Sequence, residues 1–443
     1  MRKILRFCLI LIGFGAVFLI ATVAPVHRYR VQDEQFYREM LTGIRPLPVT
    51  ETVNGLQAGA ARVSLTPRQR TATAGYGNRR GKLFHHIDDS VFVRTLLIRS
   101  GPQPVAIVAA DLLIIPPLVR ADLEERLPEI GFSIDQVYLG ATHSHNSIGN
   151  WSKGITSFLY GAYSDSIVRF ISDQIIYSIQ SAAADLQPAQ LSYQAVRVPE
   201  AVRNRLNEGG AVDSLLHVVR IDRADRRKFL LTSFAAHATC LPSAEITLSR
   251  DYPGHFVELL ETAGFDHVQF MAGAVGSQTT NVPDEAPSCI EYTAAALVRG
   301  FLRDSANRQH LPTAAIQLQH LPLRMPEVQA KISRDWRLRP WVFHALMGDS
   351  EHVLSVLKAG PLVMVGTPCD FSGELVLPLY QHARQNQIHL MVTSFNGGYM
   401  GYITPDQYYD KNHYETRLMN WYGPGNGTYF SDCIRKIVDV NSR

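Results

Sequence analysis

Residues 7–26 carry no charged side chain, and the Met1-Arg2-Lys3-Ile4-Leu5-Arg6 segment before them is basic. A run of 20 uncharged residues has few places to fold. At about 1.5 Å per residue, a helix of that length crosses a hydrocarbon core of about 30 Å. The basic flank predicts a signal anchor with its charged end in the cytoplasm. A cleaved signal peptide would have a shorter apolar core, of about 7–15 residues. The expected division is an anchor at 1–26, a polar linker at 27–55, and one catalytic domain at 56–443 on the periplasmic or extracellular side.

The rest is globular by composition: 46% of the 443 residues are hydrophobic and 19% are charged. A net charge of +3 gives no reason to expect a nucleic-acid partner. Cys240, Cys289, Cys369 and Cys433 lie beyond the anchor, where disulfides are permitted. Their pairing cannot be read from sequence. No C-x-x-C occurs, which argues against a cysteine-based zinc site.

Apolar, Val- and Ile-rich runs predict strands at 91–100, 104–115, 136–141, 191–198, 215–222, 229–235, 267–271, 314–323, 360–367 and 388–395. Helical periodicity falls between them at 118–127, 166–186, 251–263, 292–303 and 375–387. The interleaving predicts a mixed α/β (α+β) domain, with large mixed sheets flanked by helices.

The reactive residues cluster where strands end. His143 and His145 follow the 136–141 run. On an extended backbone, positions two apart share a face. Such a pair can bind a metal together, or divide metal binding from proton transfer. His237 ends the 229–235 run, and Asp370 and Glu374 follow the 360–367 run. Asp370 reads either as a helix cap or as an anionic metal ligand. Tyr399, Tyr402, Tyr408 and Tyr409 crowd the glycine-rich exit after 395. Phenols there can ligate a metal, donate a proton or simply pack. Arg205 and the 273–281 loop complete the candidates. The loop reads as an oxyanion loop or as a tight turn. Asp111, inside a buried run, needs a partner. No G-x-S-x-G elbow, P-loop, Rossmann fingerprint or H-E-x-x-H is present.

Taken in order, these pieces resemble the catalytic domain of the neutral/alkaline (non-lysosomal) ceramidase family. The marks are Ser64-Leu65-Thr66-Pro67, Gly75-Tyr76-Gly77, Ala141-Thr142-His143-Ser144-His145, Asn204-Arg205, His237 and Asp251-Tyr252-Pro253-Gly254. Pro368-Cys369-Asp370-Phe371-Ser372, Tyr399-Met400-Gly401-Tyr402, Tyr414-Glu415 and Tyr422-Gly423-Pro424 follow. The resemblance spans about 59–427, without the family's C-terminal immunoglobulin-like domain.

It implies zinc-dependent hydrolysis of the amide in N-acylsphingosine, with one zinc per chain. His143, His237, Asp370 and Tyr399 would be ligands, with Tyr402 as the alternative phenol. His145 would be the catalytic histidine, Arg205 would hold substrate, and Tyr408 would stabilise the oxyanion. The family's acidic ligand is a glutamate. Asp370 is one methylene shorter, and Glu374 lies one helical turn on. Thr279 stands where the family has a catalytic serine. The alternatives are a metal-dependent esterase or deacylase of another envelope substrate, and a non-catalytic lipid-binding member of the family. The expected partners are a lipid or N-acyl amide and, through the N-terminal helix, a membrane. The oligomeric state is not legible.

Overall fold

The computed structural model describes residues 2–47, 55–101, 103–283, 288–304, 307–312, 315–349 and 351–442. Positions 48–54 of the expected linker, and position 314 of one expected strand, lie outside these residues.

Two mixed sheets stack face to face. The larger runs in the order His267–Ala272, Lys228–Phe234, Leu215–Arg223, Gln187–Arg197, Gln57–Ser64, Phe92–Arg99, Val105–Ala110, Val137–Ala141. Gln309–Leu311 also pairs with Gln187–Arg197. The smaller runs Ile316–Pro322, Val353–Ala359, Leu362–Gly366, His389–Thr393. Most pairs are antiparallel, but three are parallel: Lys228–Phe234 with His267–Ala272, Val105–Ala110 with Val137–Ala141, and Leu362–Gly366 with His389–Thr393.

Alternation along each strand builds the layers. Tyr138, Leu231, Met271, Leu362, Met364 and Met391 fill the space between the sheets. The flanking Val137 and Leu139 face outward, under the Asp165–Ala184 helix. Val363 and Val365 face outward on the other side, under Gly373–Gln385 and Asn426–Asn441. Asp251–Thr262 and Cys289–Arg303 cover the remaining outer face of the larger sheet. The result is helix, sheet, sheet, helix, and the expected fold class is what is found.

Asp111 follows its strand and accepts from the Phe92 N–H at 2.9 Å. It is a satisfied structural carboxyl, which burial holds up to about 6. A disulfide joins Cys240 to Cys289, a pairing the sequence left open.

The polar stretch after the anchor folds onto the domain. Gln35–Gly43 is a helix, and Val31, Met40, Ile44 and Leu47 enter the core under the smaller sheet. Val23–Pro25 pairs antiparallel with Trp336–Leu338. The Lys3–Thr22 helix ahead of it is long and apolar enough to cross a membrane and is unburied.

Candidate metal centre

The C-terminal ends of the parallel strands converge, and the loops that leave them build the site. Val137–Ala141 gives His143 and His145, Lys228–Phe234 gives His237, Leu362–Gly366 gives Asp370, and His389–Thr393 gives the tyrosine loop. Backbone bonds stitch these exits together. Ser394 N–H donates to the Ala272 carbonyl at 2.9 Å, and Gly276 N–H to the Phe371 carbonyl at 2.8 Å. Gly276 has no substitute in that loop. A Cβ there would sit 2.5 Å from the Asp370 carbonyl oxygen. The 273–281 loop is therefore a close-packed clasp between the two sheets.

His143 is not extended. Its φ is 62°, so the chain turns left-handed just past the strand. The rings of His143 and His145 meet edge to face, 4.7 Å apart, with their Nε2 atoms 3.1 Å apart. The two histidines share a site as expected, but through this turn rather than strand alternation. Phe395 stacks on His143 at 3.8 Å.

The ring nitrogens are sorted by hydrogen bonding. His143 Nδ1 lies 2.6 Å from the Leu113 carbonyl oxygen. His237 Nδ1 lies 2.9 Å from that of Val275 and 3.1 Å from that of Gln278. Each Nδ1 then carries the proton, and each Nε2 turns a lone pair inward. Asp370 Oδ1 is 3.2 Å from His237 Nε2 and 3.6 Å from His143 Nε2. His143, His145 and His237 together form a group that could hold a metal ion. Burial lowers all three imidazoles, His143 to about 3. It raises the Asp370 carboxyl, against the pull of His143.

Tyr399 donates to Asp370 Oδ2 at 2.8 Å. Tyr402 pairs in register with Asp370, and its hydroxyl lies 3.2 Å from His237 Nε2. Arg205 is aimed by an Asx turn, in which Asn204 Oδ1 accepts from the N–H groups of Leu206 and Asn207. Its Nη2 donates to the Tyr402 hydroxyl at 3.0 Å, and its Nε pairs with Glu415 at 2.9 Å.

The other expected residues have the following partners. Asp370 does not cap the following helix, whose N-cap is Ser372. Glu374 sits in that helix's first turn and accepts from Tyr408 at 3.2 Å. Tyr408 also accepts from Asn207 Nδ2 at 3.0 Å, so its hydroxyl is held by those two residues. Thr279 is half-buried, pairs in register with Arg203 and is bridged through its backbone to His237, so it lies beside the cluster. Tyr414, which the sequence marks only through the family resemblance, has its ring 5.9 Å from Tyr402, and burial raises its phenol with a further push from Tyr160 and Asp370. Tyr76, from the Gly-rich 71–82 loop, lies 4.8 Å from the His145 ring. Nothing in the local pattern tied either tyrosine to the cluster.

Four layers of helix and sheet carry, where strands end, a buried histidine–carboxylate cluster that could hold a metal ion. The family model for neutral/alkaline non-lysosomal ceramidase, N-terminal, matches residues 58–293, and the chain belongs to that family. Two solved structures share the fold. The neutral ceramidase from Pseudomonas aeruginosa is 17% identical over 88% of this chain and 74% of that one, with a TM-score of 0.71. A ceramidase complexed with C2 is 16% identical over 87% of this chain and 75% of that one, with a TM-score of 0.72. No curated protein matches the chain.

Proposed function

We propose that the protein is a zinc-dependent amide hydrolase that cleaves N-acylsphingosine or a closely related N-acyl lipid. The observation that carries the reading is Asp370 Oδ1. It is fully buried, has no hydrogen-bond partner, and faces the inward Nε2 atoms of His143 and His237. A buried carboxylate oxygen without a partner is costly, and a cation would satisfy it. Neutral imidazoles with their Nδ1 protons held by carbonyls are the form in which histidine ligates.

His143, His237 and Asp370 would hold the ion. Of the two candidate phenols, Tyr402 would be the one to join them, since its hydroxyl lies 3.2 Å from His237 Nε2. Tyr399 instead orients Asp370. When bound, zinc supplies Lewis acidity and brings the pKa of water toward about 7. His145 differs from the other two histidines, since its Nδ1 has no partner. No backbone carbonyl holds either of its ring nitrogens, which would suit a group that takes a proton from water and passes it to the leaving amine. Arg205 lies against the Tyr402 hydroxyl, where it can orient the acyl carbonyl or the sphingoid hydroxyls. Tyr414, beside Tyr402, is better placed than Tyr408 to donate to the developing oxyanion.

The N-terminal helix is read as a membrane anchor, with the catalytic domain on the periplasmic or extracellular side. The Cys240–Cys289 disulfide supports an oxidising compartment. The deciding experiment measures fatty-acid release from N-acylsphingosine, other N-acyl amides and acyl esters, before and after chelation and zinc restoration. Restored cleavage of N-acylsphingosine is expected. Cleavage of esters alone would overturn the substrate class, and activity indifferent to chelation would overturn the metal.

A further inference from the structure

The last turn of the Lys3–Thr22 helix is bonded to the catalytic domain. Helix C-termini leave carbonyls without partners. Here Arg339 Nε donates to the Ile20 carbonyl at 2.8 Å, Trp341 Nε1 to Ala21 at 2.9 Å, and Arg339 N–H to Thr22 at 2.8 Å. The next three residues are paired with Trp336–Leu338. The domain therefore has a set orientation on its anchor.

What lies beside that junction is apolar and exposed. Pro340–Met347 is a two-turn helix that buries only Phe343. Trp336 and Trp341 are 51% and 57% exposed, and Leu346 and Met347 also face outward. The helix packs against the 154–156 turn, and the adjoining Phe158 is 60% exposed. A water-facing surface rarely gathers side chains of this kind. Indoles at the level of a spanning helix's last turn are typical of the interfacial layer.

The same face borders the metal centre. Phe343 is 5.4 Å from Trp421, Trp421 is 5.6 Å from Tyr399, and Tyr399 donates to Asp370. Tyr414, half exposed, lies 5.9 Å from Tyr402.

We propose that the face made by Trp336, the Pro340–Met347 helix and Phe158 lies in the headgroup layer of the bilayer that the Lys3–Thr22 helix crosses, so that the metal centre opens toward the lipid. The occupant of this face is the bilayer itself, because the helix continuous with it has no other place for its exposed apolar length. The proposal rests on the anchor reading above. It makes the substrate a lipid drawn laterally from the same membrane.

The test uses the full chain in phosphatidylcholine vesicles brominated near the glycerol end of the acyl chains, and tryptophan fluorescence as the readout. The two buried indoles, Trp151 and Trp421, report as background. Quenching is expected in the wild type, and most of it should be lost in the Trp336→Phe/Trp341→Phe double variant, with thermal melting confirming its fold. An unquenched wild type, a double variant quenched as strongly, or a chain recovered without residues 1–22 would overturn the proposal. A second arm uses Phe158→Asp and Leu346→Asp. Both should lose hydrolysis of a bilayer-embedded amide and keep that of a water-soluble short-chain amide, while equal loss or retention of both counts against the face. Quenching needs no activity. If quenching holds and the wild type cleaves neither amide, the enzymatic reading fails alone.

Discussion

Oδ1 of Asp370 lies 3.2 Å from Nε2 of His237, and that oxygen has no hydrogen bond. Removing any member of this corner should empty it. His143→Ala, His237→Ala and Asp370→Ala are expected to lose bound zinc, measured by inductively coupled plasma mass spectrometry on the purified chain. Amide hydrolysis should fall to background in each. Full zinc in all three would show that the cluster is structural.

The two tyrosines should separate in the same measurement. Tyr399 donates to Asp370 Oδ2, and hydrogen-bond partners of a metal ligand are worth about 10–100-fold in metal affinity. Tyr399→Phe should therefore weaken zinc while leaving activity at saturating metal. Tyr402→Phe removes the phenol beside His237 Nε2 and Arg205. It should lower activity even when zinc is saturating. The reverse pattern would make Tyr399 the inner phenol.

Gly75 supports His145 by its lack of a side chain. Its φ is 125°, and a Cβ there would lie 2.4 Å from the His145 Cα. Arg79 reinforces the contact by donating to the His145 carbonyl at 2.8 Å. Gly75→Ala should displace His145 while His143, His237 and Asp370 keep their own supports. A misplacement of about 1 Å costs on the order of 10²-fold in rate. The expected result is that drop in kcat with zinc content unchanged. An equal loss of zinc would instead make His145 a ligand.

Much of this was legible because burial writes itself into composition. The runs at 136–141, 229–235 and 360–367 read as strands because they are buried on both faces, and their exits marked His143, His237 and Asp370 correctly as neighbours. What stayed hidden depends on close approach. The left-handed turn at His143 is set by the Phe395 stack and the Leu113 carbonyl, both distant in sequence. Tyr408 and Tyr414 are alike as residues. Only the fold turns one to Glu374 and the other to Tyr402. The polar 27–47 stretch read as a linker because its few apolar residues are spaced for docking onto a surface that sequence does not display.

Acid should destabilise the fold partly through His267. Burial, with Arg94 nearby, lowers its imidazole to about 3, against about 6.5 when unfolded. Between those values the unfolded chain holds the extra proton. The stability is complete above about pH 6.5 and is lost progressively as pH falls toward 3. At pH 5 the loss from this residue is about 2 kcal/mol. His267→Gln removes the titration. Urea unfolding at pH 8 and pH 5 should show the variant losing about 2 kcal/mol less than the wild type between the two. Parallel losses would mean that His267 is protonated in the fold.

The Cys240–Cys289 bridge should govern stability without governing the metal. It closes a loop of 49 residues, for which chain entropy gives about 4 kcal/mol. It ties the segment just after His237 to the start of the Cys289–Arg303 helix, which Ser288 caps by accepting from the Glu291 N–H. Yet His237 is held by the carbonyls of Val275 and Gln278, inside the clasp between the sheets and independent of the bridge. Cys240→Ser/Cys289→Ser should lower the melting temperature by several degrees and, well below that temperature, retain zinc and activity. Loss of zinc in the folded double variant would place the bridge within the support of the metal centre.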